Sequence, residues 1–192
     1  MTLAVTQTEL DGVVVVEPKV FGDSRGFFFE AWHAERYSAA GLPARFVQDN
    51  VSRSARGVLR GLHLQQPYPQ GKLVQVHEGE IFDVAVDVRL GSRTFGRWVA
   101  ARLSSDNKRQ MYVSRGFAHG FCVLSEFAVV NYKCTEYYHP ETELSILWND
   151  PAIGIEWPVK MPMLSGKDAT ASALADVPPD RLPKWSSAGY PD

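Results

Sequence analysis

Hydrophobic and polar positions alternate along this chain in short runs, nearly all closed by glycine, proline or an acidic turn. Val13 to Val16 is an apolar run ended by Pro18, and Phe27 to Glu30 follows the turn-forming Asp23-Ser-Arg-Gly26. Phe46 to Ser52 alternates, with Gln48, Asn50 and Ser52 on one face and Val47 and Val51 on the other, as a half-buried strand does. Leu73 to His77 and Ile81 to Val88 flank a Glu-Gly-Glu turn and predict a hairpin. In its second arm Val84, Val86 and Val88 share a face, opposite Asp83, Ala85 and Asp87. Further strands are predicted at Thr94 to Leu103, Arg109 to Val113, Ala118 to Leu124, Ala128 to Glu136 and Leu144 to Trp148. Another apolar strand pattern ends at His63.

Helical patterning is scarce. Ala31 to Ala40 is one candidate, stopped by Gly41 and Pro43, and Thr170 to Asp176 is a second, stopped by Val177-Pro-Pro179. No repeat or low-complexity linker divides the sequence, so residues 1–192 are expected to form one domain. Many short strands with turn residues between them point to an all-β jelly roll or a similar barrel-like sandwich. Periodicity alone does not separate these.

Composition narrows the class. With 192 residues, 45% hydrophobic and 22% charged, the chain is an ordinary globular one. A net charge of -2 argues against a general nucleic-acid or membrane surface, so an anionic ligand would need a local Arg and Lys cluster. Cys122 and Cys134 lack metal-ligand spacing and sit in apolar stretches, which suits buried free thiols in a reducing cytoplasm. The stretch MTLAVTQTELDG has neither a basic start nor an apolar run, and nothing approaches the ~20 apolar residues of a membrane helix. A cytoplasmic protein is expected.

The densest chemistry lies in Gly57-Val-Leu-Arg-Gly-Leu-His63, followed by a proline-rich loop and Lys72. A second histidine, His119, is framed by glycines and aromatics, Tyr132 sits in mid-strand, and Asp168 lies in a late loop. Singly, each reads as a core or surface residue. Together they supply a base, an acid, a cation for a developing oxyanion and a carboxylate to orient the base, which are the parts needed to remove a proton beside a carbonyl. A three-histidine metal site from His63, His77 and His119 is disfavoured, since no His-x-His pair occurs and His77 borders the Glu-Gly-Glu turn. Strict alternation puts Arg60 and His63 on opposite faces, so both reach one site only if Gly61 marks a bulge, as we expect. Asp83 admits two readings: it orients His119, or it is a solvated carboxylate. Tyr132 and Tyr138 share parity, and six residues at about 3.3 Å each put them roughly 20 Å apart at most.

In these segments the sequence resembles the dTDP-4-dehydrorhamnose 3,5-epimerase family. The resemblance rests on Asp23-Ser-Arg-Gly-Phe-Phe-Phe-Glu30, Gln48-Asp-Asn50, Gly57-Val-Leu-Arg-Gly-Leu-His63, Gln70-Gly-Lys72, Asp83-Val-Ala-Val-Asp87, Thr94-Phe-Gly96, Gly116-Phe-Ala-His-Gly-Phe121, Trp148-Asn-Asp-Pro151 and Leu164-Ser-Gly-Lys-Asp168, in order from about Val13 to Trp185. It implies a cupin-type jelly roll with one or two short peripheral helices, a homodimer, no metal or other cofactor, and a dTDP-4-keto-6-deoxy sugar as substrate. It further implies His63 as general base oriented by Asp168, Tyr132 as general acid and Lys72 at the C4 oxyanion. Arg25, Glu30, Gln48, Asp49, Asn50, Arg60, His119, Glu143 and Lys167 would line the substrate site, with Arg25, Arg60 and Lys167 on the diphosphate, and Tyr138 would stack on thymine. Three alternatives remain open: a related enzyme inverting C3 or C5 alone, a metal-dependent cupin enzyme, and a nucleotide-sugar-binding module without catalysis.

Overall fold

A computed structural model describes residues 3–186; the first two residues of the N-terminal stretch lie outside it. Among the described residues are thirteen strands and two short α-helices. A six-stranded sheet, in the order β1 (Ala4–Gln7), β2 (Val13–Glu17), β10 (Gln110–Val113), β7 (Lys72–Glu78), β12 (Phe127–Cys134), β5 (Gln48–Ala55), faces a five-stranded sheet. The latter runs β13 (Glu143–Ser145), β6 (Leu59–Gln65), β11 (Phe117–Val123), β8 (Glu80–Asp87), β9 (Trp98–Ser104), and every pairing in both sheets is antiparallel. A separate hairpin pairs β3 (Val20–Asp23) with β4 (Gly26–Phe29). The architecture is an all-β, cupin-type jelly roll.

The period of two sorts side chains into three apolar layers. Between the sheets lie Val74, Val76, Ile81, Ala85, Leu103, Met111, Phe117, Phe121 and Val130. Outside the five-stranded sheet, Val84, Val86 and Val88 pack with Ile153, Leu174, Val177 and Leu182 from the C-terminal segment. Outside the six-stranded sheet, Leu73 and Val16 pack with Tyr37 of helix α1 (Ala34–Ala39) and with Leu42. The valine face of β8 therefore looks outward under that cover, and its acidic face looks into the barrel.

Three sequence expectations are corrected. The Glu78-Gly-Glu80 turn does not close a hairpin, because β7 and β8 belong to different sheets. Gly79 has φ +80, and the place of a Cβ is filled by the Phe127 carbonyl oxygen 2.1 Å away. The Ser125 hydroxyl accepts the Glu80 amide at 2.8 Å. The turn is thus pinned against the β11–β12 connection and carries the chain from one sheet to the other. The second helix is α2 (Gly166–Ala169), whereas Thr170 to Asp176 holds only a 3-10 turn at Leu174–Asp176. Ser165 starts α2 by accepting the Asp168 amide at 3.1 Å, and Thr170 ends it by donating its hydroxyl to the Gly166 carbonyl at 3.0 Å. Finally, β12 stops at Cys134, so Tyr138 lies past the strand in which its parity was counted.

No helix among the described residues is long and apolar enough to cross a membrane.

Candidate active site

Inward residues of both sheets enclose a cavity of about 780 Å³, within the range of small-molecule sites. His63 enters it from β6, and its Nε2 lies 2.6 Å from Oδ1 of Asp168, which is buried on α2. Burial works to raise the Asp168 pKa. Hydrogen bonds from His63, the Ser165 hydroxyl and the Gly61 amide, with the His63 charge, outweigh it and hold the carboxyl below its usual value. An ionised Asp168 can only accept, so it selects the Nε2–H tautomer of His63 and leaves Nδ1 as the basic nitrogen.

Tyr132 reaches the same cavity from β12, in the opposing sheet. Burial raises its phenol pKa further, and the Arg60 charge pulls the other way, so the hydroxyl keeps its proton at neutral pH. Lys72 opens β7 and pairs with Cys134, two positions from Tyr132 on the same face. Burial pushes the Lys72 pKa down, against the pull of Cys134, Glu143 and Asp83.

His119, on β11, is the register partner of His63, and its Nε2 lies 2.8 Å from Oδ1 of Asp83. Asp83 is 0% exposed, which decides between its two readings: it orients His119 and is not solvated. Asp87, on the same face, is also buried and serves structure, taking hydrogen bonds from Arg89, Ser92 and Thr94. The expected irregularity at Gly61 is present. From His119 to Phe121 on β11, the paired residues of β6 run from His63 to Arg60, one residue more. A Cβ on Gly61 would lie 2.5 Å from the Gly120 Cα, so two glycines let the strands close at this point. Arg60 and His63 consequently both line the cavity, and Arg60 Nε donates to the Ser54 hydroxyl at 3.0 Å.

The same cavity holds a further polar cluster. Tyr138 donates its hydroxyl to Glu143 Oε2 at 2.8 Å, and Lys167 Nζ meets the same oxygen at 2.7 Å. Burial works to raise the Glu143 pKa, and these two hydrogen bonds with the His63 charge outweigh it. Gln48 accepts the Tyr138 amide at 2.9 Å and donates to Asn50 Oδ1 at 3.0 Å.

Three expected residues are absent from this lining. Asp49 lies on the opposite face of β5 from Gln48 and Asn50, where strand alternation puts it, and pairs with Lys133 at 2.8 Å. Arg25 sits on the β3–β4 hairpin with 87% of its side chain exposed. Glu30 is held by Arg36, which donates to it from Nε at 2.7 Å. His77 is exposed, and among the described residues no group of three or more His, Cys, Asp or Glu is placed to hold a metal ion. Among the contributors that sequence reasoning missed are Ser165 and Met163. Ser165, which starts α2 and bonds the Asp168 amide, was detectable as a Ser-x-x-Asp capping pattern. Met163, which bridges to Val58 beside the cavity, left no local signal, because only the return of the late segment to β6 brings it there.

Fold and site together define a class: a cupin-type jelly roll arranged for acid–base chemistry inside its barrel. The model of the dTDP-4-dehydrorhamnose 3,5-epimerase family matches residues 7–176, and the chain belongs to that family. The dTDP-4-dehydrorhamnose 3,5-epimerase of Pseudomonas aeruginosa is 56% identical over 174 residues, covering 90% of this chain and 96% of its own. A dTDP-4-dehydrorhamnose 3-epimerase of Streptomyces niveus is 40% identical over 170 residues, covering 88% of this chain and 82% of its own. The crystal structure of dTDP-6-deoxy-D-glucose-3,5-epimerase from Legionella pneumophila, in complex with dTDP-4-keto-L-rhamnose, superimposes with a TM-score of 0.95 at 52% identity. The match covers 97% of this chain and 100% of that one.

Proposed function

We propose that the protein is an isomerase that inverts C3 and C5 of dTDP-4-dehydro-6-deoxyglucose to give dTDP-4-dehydro-L-rhamnose. The observation that carries this reading is the entry of His63 and Tyr132 into one cavity from opposing sheets. Inversion requires a proton to leave one face of the ring and another to arrive at the opposite face. In a 4-keto sugar both C3 and C5 adjoin the carbonyl. Nδ1 of His63 takes the C–H proton, the electron pair moves onto the C4 oxygen, and the Tyr132 hydroxyl returns a proton to carbon from the other wall. Both residues then reset by exchange with solvent. A well-placed base contributes about 10²–10⁴ in rate, and a charge aimed at the oxyanion about 3–4 kcal/mol. Lys72 suits the second task because it needs charge and not shape. The reaction calls for no cofactor, since the ketone of the substrate already acidifies both protons.

Tyr138 is the stacking surface for thymine, and Arg60 with Lys167 faces the diphosphate. We assign Arg25 and Glu30 to the cavity of a second copy. Their hairpin leaves Phe27 60% and Phe28 62% exposed, apolar area that a homodimer would cover. The two buried free thiols suit a cytoplasmic protein. A second reading, inversion at C3 alone, is favoured by the likeness to the 3-epimerase. Incubation with dTDP-4-dehydro-6-deoxyglucose in D₂O distinguishes them by mass spectrometry and NMR. Deuterium at both C3 and C5 is expected; deuterium at one carbon rejects double inversion, and none at either rejects the enzyme.

A further inference from the structure

The lining of the cavity is mixed. Among its polar groups it carries three apolar residues, Val58, Phe121 and Met163. Val58 and Tyr132 pack on the same apolar cluster that contains Phe121, so this apolar lining is continuous with the phenol. Met163 is 53% exposed, a large apolar side chain left uncovered at the edge of a binding cavity. Its backbone is fixed to β6 and the residues before it: the Met163 amide donates to the Gly57 carbonyl at 2.8 Å, and the Leu59 amide donates to the Met163 carbonyl at 3.0 Å. Two residues further on, the same segment reaches Ser165, which caps the turn carrying Asp168.

A 4-keto-6-deoxy hexose has one apolar substituent, the C6 methyl, and it is attached to C5. We infer that Met163, with Val58 and Phe121 behind it, seats this methyl and thereby sets whether the C5 proton comes within reach of His63. The inference rests on the epimerase reading and deepens it. Removal of the C3 proton does not require the methyl to be seated, because C3 lies across the ketone from C5. Displacement of a reacting atom by about 1 Å can cost 10²-fold in rate, so loose seating penalises C5 selectively. Met163 is thus a specificity residue that separates double from single inversion and takes no part in proton transfer.

The test compares initial rates of deuterium incorporation at C3 and C5 in D₂O for wild type, Met163→Leu and Met163→Ser. Because Met163 is half exposed, both variants are expected to fold, and thermal melting checks that they do. The expected result for Met163→Ser is a fall of about ten-fold in the C5 to C3 ratio, with C3 exchange within about two-fold of wild type. Met163→Leu should keep the wild-type ratio. An unchanged ratio in Met163→Ser, or equal losses at both carbons, overturns the inference while leaving the epimerase reading intact. Absence of exchange in wild type overturns both.

Discussion

At the residue scale, catalytic competence depends on which groups hold protons and what holds those groups. Asp168 is buried against His63, and its carboxyl sits below the usual 3.8 of aspartate because the His63 bond, the His63 charge and two further donors outweigh burial. A carboxyl whose folded pKa is depressed stabilises the fold fully above its unfolded value and ceases to do so as pH falls through the folded one. Acid unfolding of wild type should therefore steepen below about pH 3.8, and Asp168→Asn should flatten that part of the stability curve, read by urea denaturation at stepped pH. The same substitution replaces an acceptor-only carboxylate by a neutral amide that can also donate, so the His63 tautomer is no longer selected and turnover should fall even at neutral pH. Most of these residues were legible in the sequence: His63, His119, Lys72, Tyr132 and Asp168 were identifiable as one set. The burial of Asp83 was not. A strand with valine on one face gives no sign whether its acidic face meets water or the inside of a barrel.

At the element scale, the close approach of β6 and β11 through Gly61 and Gly120 brings Arg60 and His63 into the same cavity. Gly61 has φ +130, and a Cβ there would lie 2.9 Å from the His119 carbonyl oxygen as well as against Gly120. Gly61→Ala should cost about 1–3 kcal/mol from the backbone conformation alone, with a further loss from the contact, measurable as a lowered urea midpoint. Activity should drop further than the folded fraction does, because His63 and Arg60 shift with the strand. Strand positions were legible from alternation, as for Gln48, Asn50 and Ser52 on the cavity face of β5. Sheet membership was not. A Glu-Gly-Glu turn looks the same whether it closes a hairpin or crosses between sheets, and only Ser125 and Phe127, more than forty positions away in sequence, decide it. The short helix was misplaced for a related reason, since Ser165 and Thr170 set its ends through hydrogen bonds that outweigh the apolar pattern downstream.

At the scale of the whole molecule, the hairpin of β3 and β4 stands apart from both sheets and takes Arg25 with it. If its aromatic face and Arg25 complete the cavity of a second copy, sedimentation should show a dimer, and Phe27→Glu with Phe28→Glu should give folded monomers of low activity. Mixing an Arg25→Ala chain with a His63→Ala chain should then restore activity, because one of the two cavities in a mixed dimer has both residues intact. Failure of that mixture to exceed its components would show that Arg25 does not act in the cavity of a second copy. The central claim, however, concerns the division of labour between two walls of one cavity. It is tested most directly by following dTDP-4-dehydro-6-deoxyglucose in D₂O by NMR with His63→Ala and Tyr132→Phe side by side. The account predicts that His63→Ala abolishes both exchange and inversion, whereas Tyr132→Phe still exchanges the carbon-bound proton but returns it largely without inversion. Inversion at the wild-type rate in Tyr132→Phe, or continued exchange in His63→Ala, would contradict it.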